Sequence, residues 1–219
     1  MALVDVNTAI GVWPGDPAAA AGVEPLLQAM QARNIGRALV WHTLGLAGLT
    51  AAGNAQVIEV TRERSVLVPM AVLDPRQGPA CLQEAARCLE AGVTVFRFCP
   101  GAHDYPFSAQ FGPLAAALDA VRDARLVTVD LGAAPLALDV AALLTRPVVF
   151  TVTTARLAEV LALGAKTPAV HVEVSGLLAG GAIEVAVRGL GAERVLFGSG
   201  ALRLSVGAAV YLPPHVPHE

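Results

Sequence analysis

Short apolar runs recur along the chain, each followed by a longer stretch in which apolar and polar positions alternate at helical spacing. The apolar runs are rich in β-branched residues and bounded by Gly, Pro or polar residues, as strands buried on both faces should be. They predict strands over residues 2–7, 37–43, 66–73, 93–99, 125–130, 148–153, 169–175 and 194–198. The stretches between them predict helices over residues 23–34, 48–64, 78–91, 111–124, 135–144, 155–163 and 181–190. In the first of these, Gln28, Gln31 and Arg33 form a polar face against Leu26, Leu27, Met30 and Ile35. Helix ends are punctuated by Asn34-Ile35-Gly36, by Ala91-Gly92, and by Pro147 after Thr145-Arg146.

Strands and helices alternating in this way predict a (β/α)8 TIM barrel of α/β class. A doubly wound open sheet is the competing architecture. It carries a glycine-rich fingerprint after its first strand, which Gly11 and Gly15 do not form. The barrel is expected to occupy residues 1–212 as a single domain, with a Pro/His-rich tail at 213–219. After the eighth strand only residues 205–212 have helical character, and Pro213, Pro214 and Pro217 stop it. The last helix is therefore expected to be short or missing. A homodimer, in which a partner subunit covers the wall so exposed, is the expectation that follows.

Composition narrows the functional classes. With 55% apolar and 15% charged residues the chain has the make-up of a well-buried core. A net charge of −3 without a basic cluster argues against a nucleic-acid partner. Residues 38–58 carry no formal charge and approach a membrane span in length, but His42, Asn54, Gln56 and several glycines divide them into strand, loop and helix. No membrane partner is expected. The chain opens directly into a strand, without the pattern of a secretory signal. Cys81, Cys88 and Cys99 read as buried small side chains in a reducing, cytoplasmic setting.

Barrels of this kind place their chemistry at the C-terminal strand ends and the loops that follow. There Asp130 and His103 are the candidate catalytic residues. Asn7, His42, Arg97, Tyr105 and Arg203 are the candidate substrate-binding residues, and Trp41, Cys99, Thr151, Thr153, Glu173, Ser175 and Ser199 stand at the same level. Arg97 has the geometry to grip a carboxylate with two parallel hydrogen bonds, or to form a structural salt bridge with Glu173 or Asp130. Asp130, at a strand end in an apolar setting, needs a partner or a shifted pKa. Cys99 reads as an inert buried thiol, and His171, early in its strand, as structural.

Five segments carry a resemblance to a known family: Val4-Asp-Val-Asn-Thr-Ala-Ile-Gly11, Gly53-Asn54, Phe96-Arg-Phe-Cys-Pro100 with Tyr105-Pro106, His171-Val-Glu-Val-Ser-Gly176, and Gly191-Ala-Glu-Arg-Val-Leu-Phe-Gly-Ser-Gly200. The chain resembles the amidohydrolase-related TIM barrels, the branch with aromatic-acid decarboxylases and lactone or dicarboxylate hydrolases. The resemblance implies a metal-dependent hydrolase fold in which strand one ends in two metal-binding histidines and strand eight in a metal-binding aspartate. Asn7, Ala9 and Gly200 stand at those positions here. The expectation is therefore a barrel with a degenerate metal site and no resident cofactor, binding or transforming a small carboxylated molecule. Zinc is expected only if the site has been rebuilt from His42, Cys99, His103 and Asp130. Three alternatives stay open: an active metal-dependent hydrolase or decarboxylase with such a rebuilt site; a phosphate-binding barrel using the loops at Ser175-Gly176 and Gly198-Ser199-Gly200 with Arg203; and a noncatalytic structural subunit.

Overall fold

The computed structural model describes residues 3–14 and 16–201. The segment expected to form the last helix, the tail and Arg203 lie outside the described residues. Strand β1 (Leu3–Trp13) is followed by β2 (Asp16–Ala21), helix α1 (Val23–Ala32), β3 (Ile35–His42), α2 (Thr50–Thr61), β4 (Leu67–Leu73), α3 (Pro79–Glu90) and β5 (Val95–Phe98). Then come a single turn α4 (Pro100–His103), α5 (Gly112–Ala120), β6 (Leu126–Asp130), β7 (Val148–Thr151), α6 (Leu157–Gly164), β8 (Val170–Glu173), α7 (Ala182–Leu190) and β9 (Val195–Leu196).

The sheet runs in the order β2-β1-β3-β4-β5-β6-β7-β8-β9, with every neighbouring pair parallel except the β1–β2 hairpin. The eight parallel strands are those expected from the apolar runs, and they curl into a barrel. Period-two alternation sorts each strand's side chains between two cores. On β3, Leu39 and Trp41 point into the barrel with Met70, Val72, Val95 and Val149. Ala38 and Val40 point outward onto Leu26 and Met30 of α1 and Val57 of α2. On the far side of the ring, Phe96, Phe98, Val127, Val129 and Phe150 face outward onto Ala85, Leu114, Leu118 and Val160 of the helical layer. Cys81 and Cys88 sit on this buried side of α3, and burial pushes both thiols up to about 12, as suits inert packing groups.

The barrel closes between its first and last strands. Beyond β9, residues 197–201 run alongside β1, where Val6 N–H donates to the Phe197 carbonyl (3.0 Å) and Ala9 N–H to the Ala201 carbonyl (3.3 Å). The Asp5 carboxylate accepts from the Ser199 N–H (3.0 Å) and from the Asn7 N–H (3.1 Å), so one oxygen ties both strands. Strand β1 is bulged here: Asp5 pairs with Ala38 and Thr8 with Val40, giving β1 one residue more than its partner. Gly198 has to be glycine because a β-carbon there would run into the Glu173 carboxyl group.

Three local departures from the predicted elements have physical causes. Strand β1 continues past Asn7 to Trp13 and returns as β2, a segment of alanines that β-propensity does not mark. Residues 135–144 form only a 3-10 helix, Leu138–Leu143, because Phe107 pairs with the chain at Pro135 and Ala137 and holds it extended. Helix α2 starts late because Thr43–Ala47 forms a 3-10 turn ahead of it.

Asn54 on α2 pins the helical layer to the sheet. Its side chain accepts from the Val72 N–H (2.7 Å) and donates to the Val72 carbonyl (3.0 Å) and to Glu84 Oε1 (2.8 Å), the last held in turn by Arg87. Removing it strands buried backbone groups that water does not reach, so Asn54→Ala should lower stability by about 2–4 kcal/mol. Urea denaturation measures this, and a loss below about 1 kcal/mol would contradict the clamp.

Candidate functional site

A cavity of about 270 Å³ opens at the C-terminal strand ends, where barrel chemistry is expected. It is smaller than the pockets of drug-sized ligands and suits a compact metabolite. Asn7, Ala9 and Trp13 of β1 line one side, Trp41 of β3 and Arg97 of β5 the next, and Asp130 and Thr151 of β6 and β7 the third. Ser175 and Gly176, after β8, and Gly200 also line it. The positions that the family resemblance assigns to metal ligands, Asn7, Ala9 and Gly200, thus all face one cavity.

Arg97 is its dominant electrostatic feature. Alternation on β5 turns this side chain into the barrel, where it is only 1% exposed. It donates through Nη2 to Asp130 Oδ2 (3.0 Å) and makes a longer contact through Nη1 to Thr128 Oγ1 (3.4 Å). Its guanidinium carbon lies 4.6 Å from the centre of the Trp41 ring, a cation–π distance. The Asp130 salt bridge uses one carboxylate oxygen, and Arg97 Nε has no partner. Cys99 is a further side-chain partner of the guanidinium, and Asp130 is the carboxylate that holds it by a direct salt bridge. Trp41 Nε1 is also buried without a partner. Trp13 stands edge-on to Trp41, with ring centres 5.9 Å apart.

Below the rim lies a buried polar network. Glu173 accepts from the Ser175 N–H (2.7 Å), the Ser175 hydroxyl (2.7 Å) and the Asn7 amide (3.1 Å). Burial raises its pKa above the ordinary carboxyl range, against the pull of those hydrogen bonds. Gly176 packs so closely on the Val152 carbonyl that a β-carbon there would collide with it, which explains this glycine by strand packing alone.

The remaining candidates fall elsewhere. His42 projects outward from β3, since alternation turns its neighbour Trp41 inward. Its Nδ1 accepts from the Leu44 N–H (3.0 Å), and burial lowers its pKa. His103 is fully buried, with Nε2 donating to the Gly45 carbonyl (2.8 Å) and Nδ1 3.7 Å from Asp74 Oδ1. Tyr105 stacks between His103 and Phe111, and its hydroxyl has no partner. None of these three lines the cavity. Cys99 is buried, with its thiol pushed up to about 12. His42, Cys99, His103 and Asp130 are not brought together. Among the described residues no three His, Cys, Asp or Glu side chains are grouped to hold a metal ion. The sequence reading did not single out Trp13 or weigh Trp41 as a binding residue; period-two alternation through Leu39 would have found Trp41.

No family model matches the sequence, and no curated protein matches it. Solved structures do. The 5-carboxyvanillate decarboxylase of Sphingomonas paucimobilis superposes with a TM-score of 0.75 at 11% identity, over 99% of this chain and 94% of that one. The 5-carboxyvanillate decarboxylase of Novosphingobium aromaticivorans, complexed with manganese and 4-hydroxy-3-methoxy-5-nitrobenzoic acid, gives 0.71 at 12% identity, over 96% and 89%. An amidohydrolase of Burkholderia multivorans gives 0.61 at 15% identity, over 96% and 91%. The chain therefore shares the barrel fold of these decarboxylases and amidohydrolases. At these identities the likeness establishes the fold alone.

Asp5 offers a test of the seam beside the site. Burial pushes its pKa from 3.8 to about 6, against hydrogen bonds from Ser199 and Asn7. A carboxyl group that holds its proton more tightly when folded stabilises the protein fully below its unfolded pKa, and that stability is lost as pH rises through the folded value. Relative to the wild type, Asp5→Asn should gain on the order of 2–3 kcal/mol between about pH 4 and pH 7. Urea unfolding of both proteins across that range is the measurement, and parallel pH curves would rule the effect out.

Proposed function

We propose that the protein binds or transforms a small carboxylated molecule in this cavity, with Arg97 anchoring the carboxylate. The observation that carries the reading is Arg97 itself: a buried guanidinium that lines the cavity, is held by Asp130 through one oxygen and keeps Nε without a partner. A ligand carboxylate in the cavity would give the guanidinium a second carboxylate partner beside Asp130, in a water-poor setting where charge-assisted hydrogen bonds are strong. The Trp41 and Trp13 rings, set edge to face, offer an apolar corner for the rest of the ligand. The likeness to decarboxylases whose names and complexes specify carboxylated aromatics supports the same class of ligand.

In this reading the metal site is degenerate. A manganese ion accompanies the ligand in one neighbour, but the donors here do not fit such an ion. Ala9 and Gly200 offer no side-chain donor, and the Asn7 amide hydrogens point at Glu173 and Ser175. Arg97 provides fixed positive charge in the same cavity. Asp130 is the carboxyl group that lines it and is the group placed to take or give a proton to a bound ligand. We assign His103 a positioning role, since it bonds the Gly45 carbonyl behind the barrel wall.

Calorimetric titration tests this. Benzoate should bind and benzamide should not, with benzoate affinity unchanged in the presence of a chelator. Arg97→Met should weaken benzoate by roughly 10–100-fold, the worth of a charge-assisted hydrogen bond. Equal affinities for benzoate and benzamide, or an Arg97→Met protein that folds and binds benzoate normally, would rule out the anchor.

A further inference from the structure

We propose that the Ser175 hydroxyl is a nucleophile with Glu173 as its base, so that the cavity carries out acyl transfer from a small carboxylic ester. Ser175 lines the cavity on the 3-10 turn (Val174–Gly176) that follows β8. Its hydroxyl donates to Glu173 Oε1 at 2.7 Å, within the reach at which a base takes a nucleophile's proton. The carboxyl group is held in place by the same turn, since Glu173 Oε2 accepts from the Ser175 N–H (2.7 Å). From the other side of the seam, Asn7 Nδ2 donates to Glu173 Oε1 (3.1 Å) and to Ser175 Oγ (3.2 Å). Nucleophile, base and an orienting group are therefore in mutual hydrogen-bond contact at the wall of a cavity. Capping of the turn would need only Oε2. It does not account for Oε1, which is spent on the hydroxyl that would react and on an amide from β1.

The step runs from the ionised form of Glu173. Ser175 Oγ bonds to the ester carbonyl carbon as its proton passes to Glu173 Oε1. The bond from that carbon to the alcohol oxygen then breaks, and the leaving oxygen takes the proton from Glu173, which leaves an acyl-serine. Water adds to the acyl carbon and gives a proton to Glu173, and Ser175 Oγ departs with that proton, which restores hydroxyl and carboxylate. Burial raises the pKa of Glu173, so its carboxylate is a stronger base than an exposed one and the reaction sets in at higher pH. Of the charged groups around it, Arg97 on β5 favours ionisation and Asp5 on β1 opposes it. Arg97 lines the same cavity. Where it holds a carboxylate, as in the reading above, the substrate is the monoester of a small dicarboxylic acid.

In the experiment the full chain is treated with a fluorophosphonate, which reacts with activated serines, and the adduct is located by mass spectrometry of its peptides. An adduct on Ser175 is expected, forming more slowly as pH is lowered through the range in which Glu173 takes up a proton. Glu173→Gln should slow labelling roughly 100-fold, the worth of a general base. No adduct on Ser175, or labelling that does not slow with falling pH, would overturn the proposal, and both results come from the wild type whether or not the variant folds. Hydrolysis of 4-nitrophenyl acetate and of mono-4-nitrophenyl glutarate then separates the two readings. The glutarate should have the higher kcat/KM by about tenfold, the worth of a charge-assisted contact. Labelling without turnover of either ester would overturn the acyl-transfer step. A labelled Ser175 with equal kcat/KM for both esters keeps the nucleophile and removes the carboxylate anchor. Benzoate binding without labelling keeps the anchor and removes the nucleophile.

Discussion

Closure of the barrel at β1 is the constraint on which the site depends. Strand β9 is only Val195–Leu196, too short to close a sheet by its own ladder. The seam is completed by backbone bonds from Val6 and Ala9 to residues 197–201 and by the buried Asp5 carboxylate, which accepts from Ser199 and Asn7 together. The bulge that Asp5 sits beside also sets where Asn7 and Ala9 enter the cavity. A buried carboxyl group in that place is electrostatically expensive, and its raised pKa records the cost. The site and the seam are therefore one construction, and a change to either alters the other.

The second organising element is the charge inside the barrel. Arg97, Asp130 and Glu173 place a cation and two carboxyl groups in a space that small barrels fill with aliphatic side chains. Burying such groups does little for stability on its own, because desolvation offsets the attraction between them. Their arrangement makes sense as preorganisation. The guanidinium is held by Asp130 and the Trp41 ring, and Glu173 holds the Ser175 hydroxyl and the Asn7 amide. Fixed dipoles of this kind act on a ligand without having to reorganise when it arrives.

Part of this was legible from side-chain chemistry and part was not. Arg97 and Asp130 stood out because charged residues at the ends of apolar strands need a reason, and the structure brings them together in the cavity with Asn7. His42 stood out at a strand end, and His103 and Tyr105 in the segment after the next such end, but all three turn elsewhere. His42 is one residue out of phase with the inward face of β3. His103 ends the single turn α4 and Tyr105 follows it, and this segment folds behind the wall, where Gly45 and Phe111 receive them. Trp13 entered the site through a hairpin whose second strand is alanine-rich, and alanine carries almost no signal for a strand.

The sequence by itself determined the parallel strands, most of the helices and the order in which they follow. These depend on local periodicity and on Gly and Pro, which act through the backbone of a few adjacent residues. Only the tertiary structure decided which polar side chains share a cavity and which of them Glu173 holds. Those depend on contacts such as Asn7 with Glu173 and Asp5 with Ser199, between residues 166 and 194 positions apart. No local pattern encodes such contacts, because they exist only once the last strand has closed against the first.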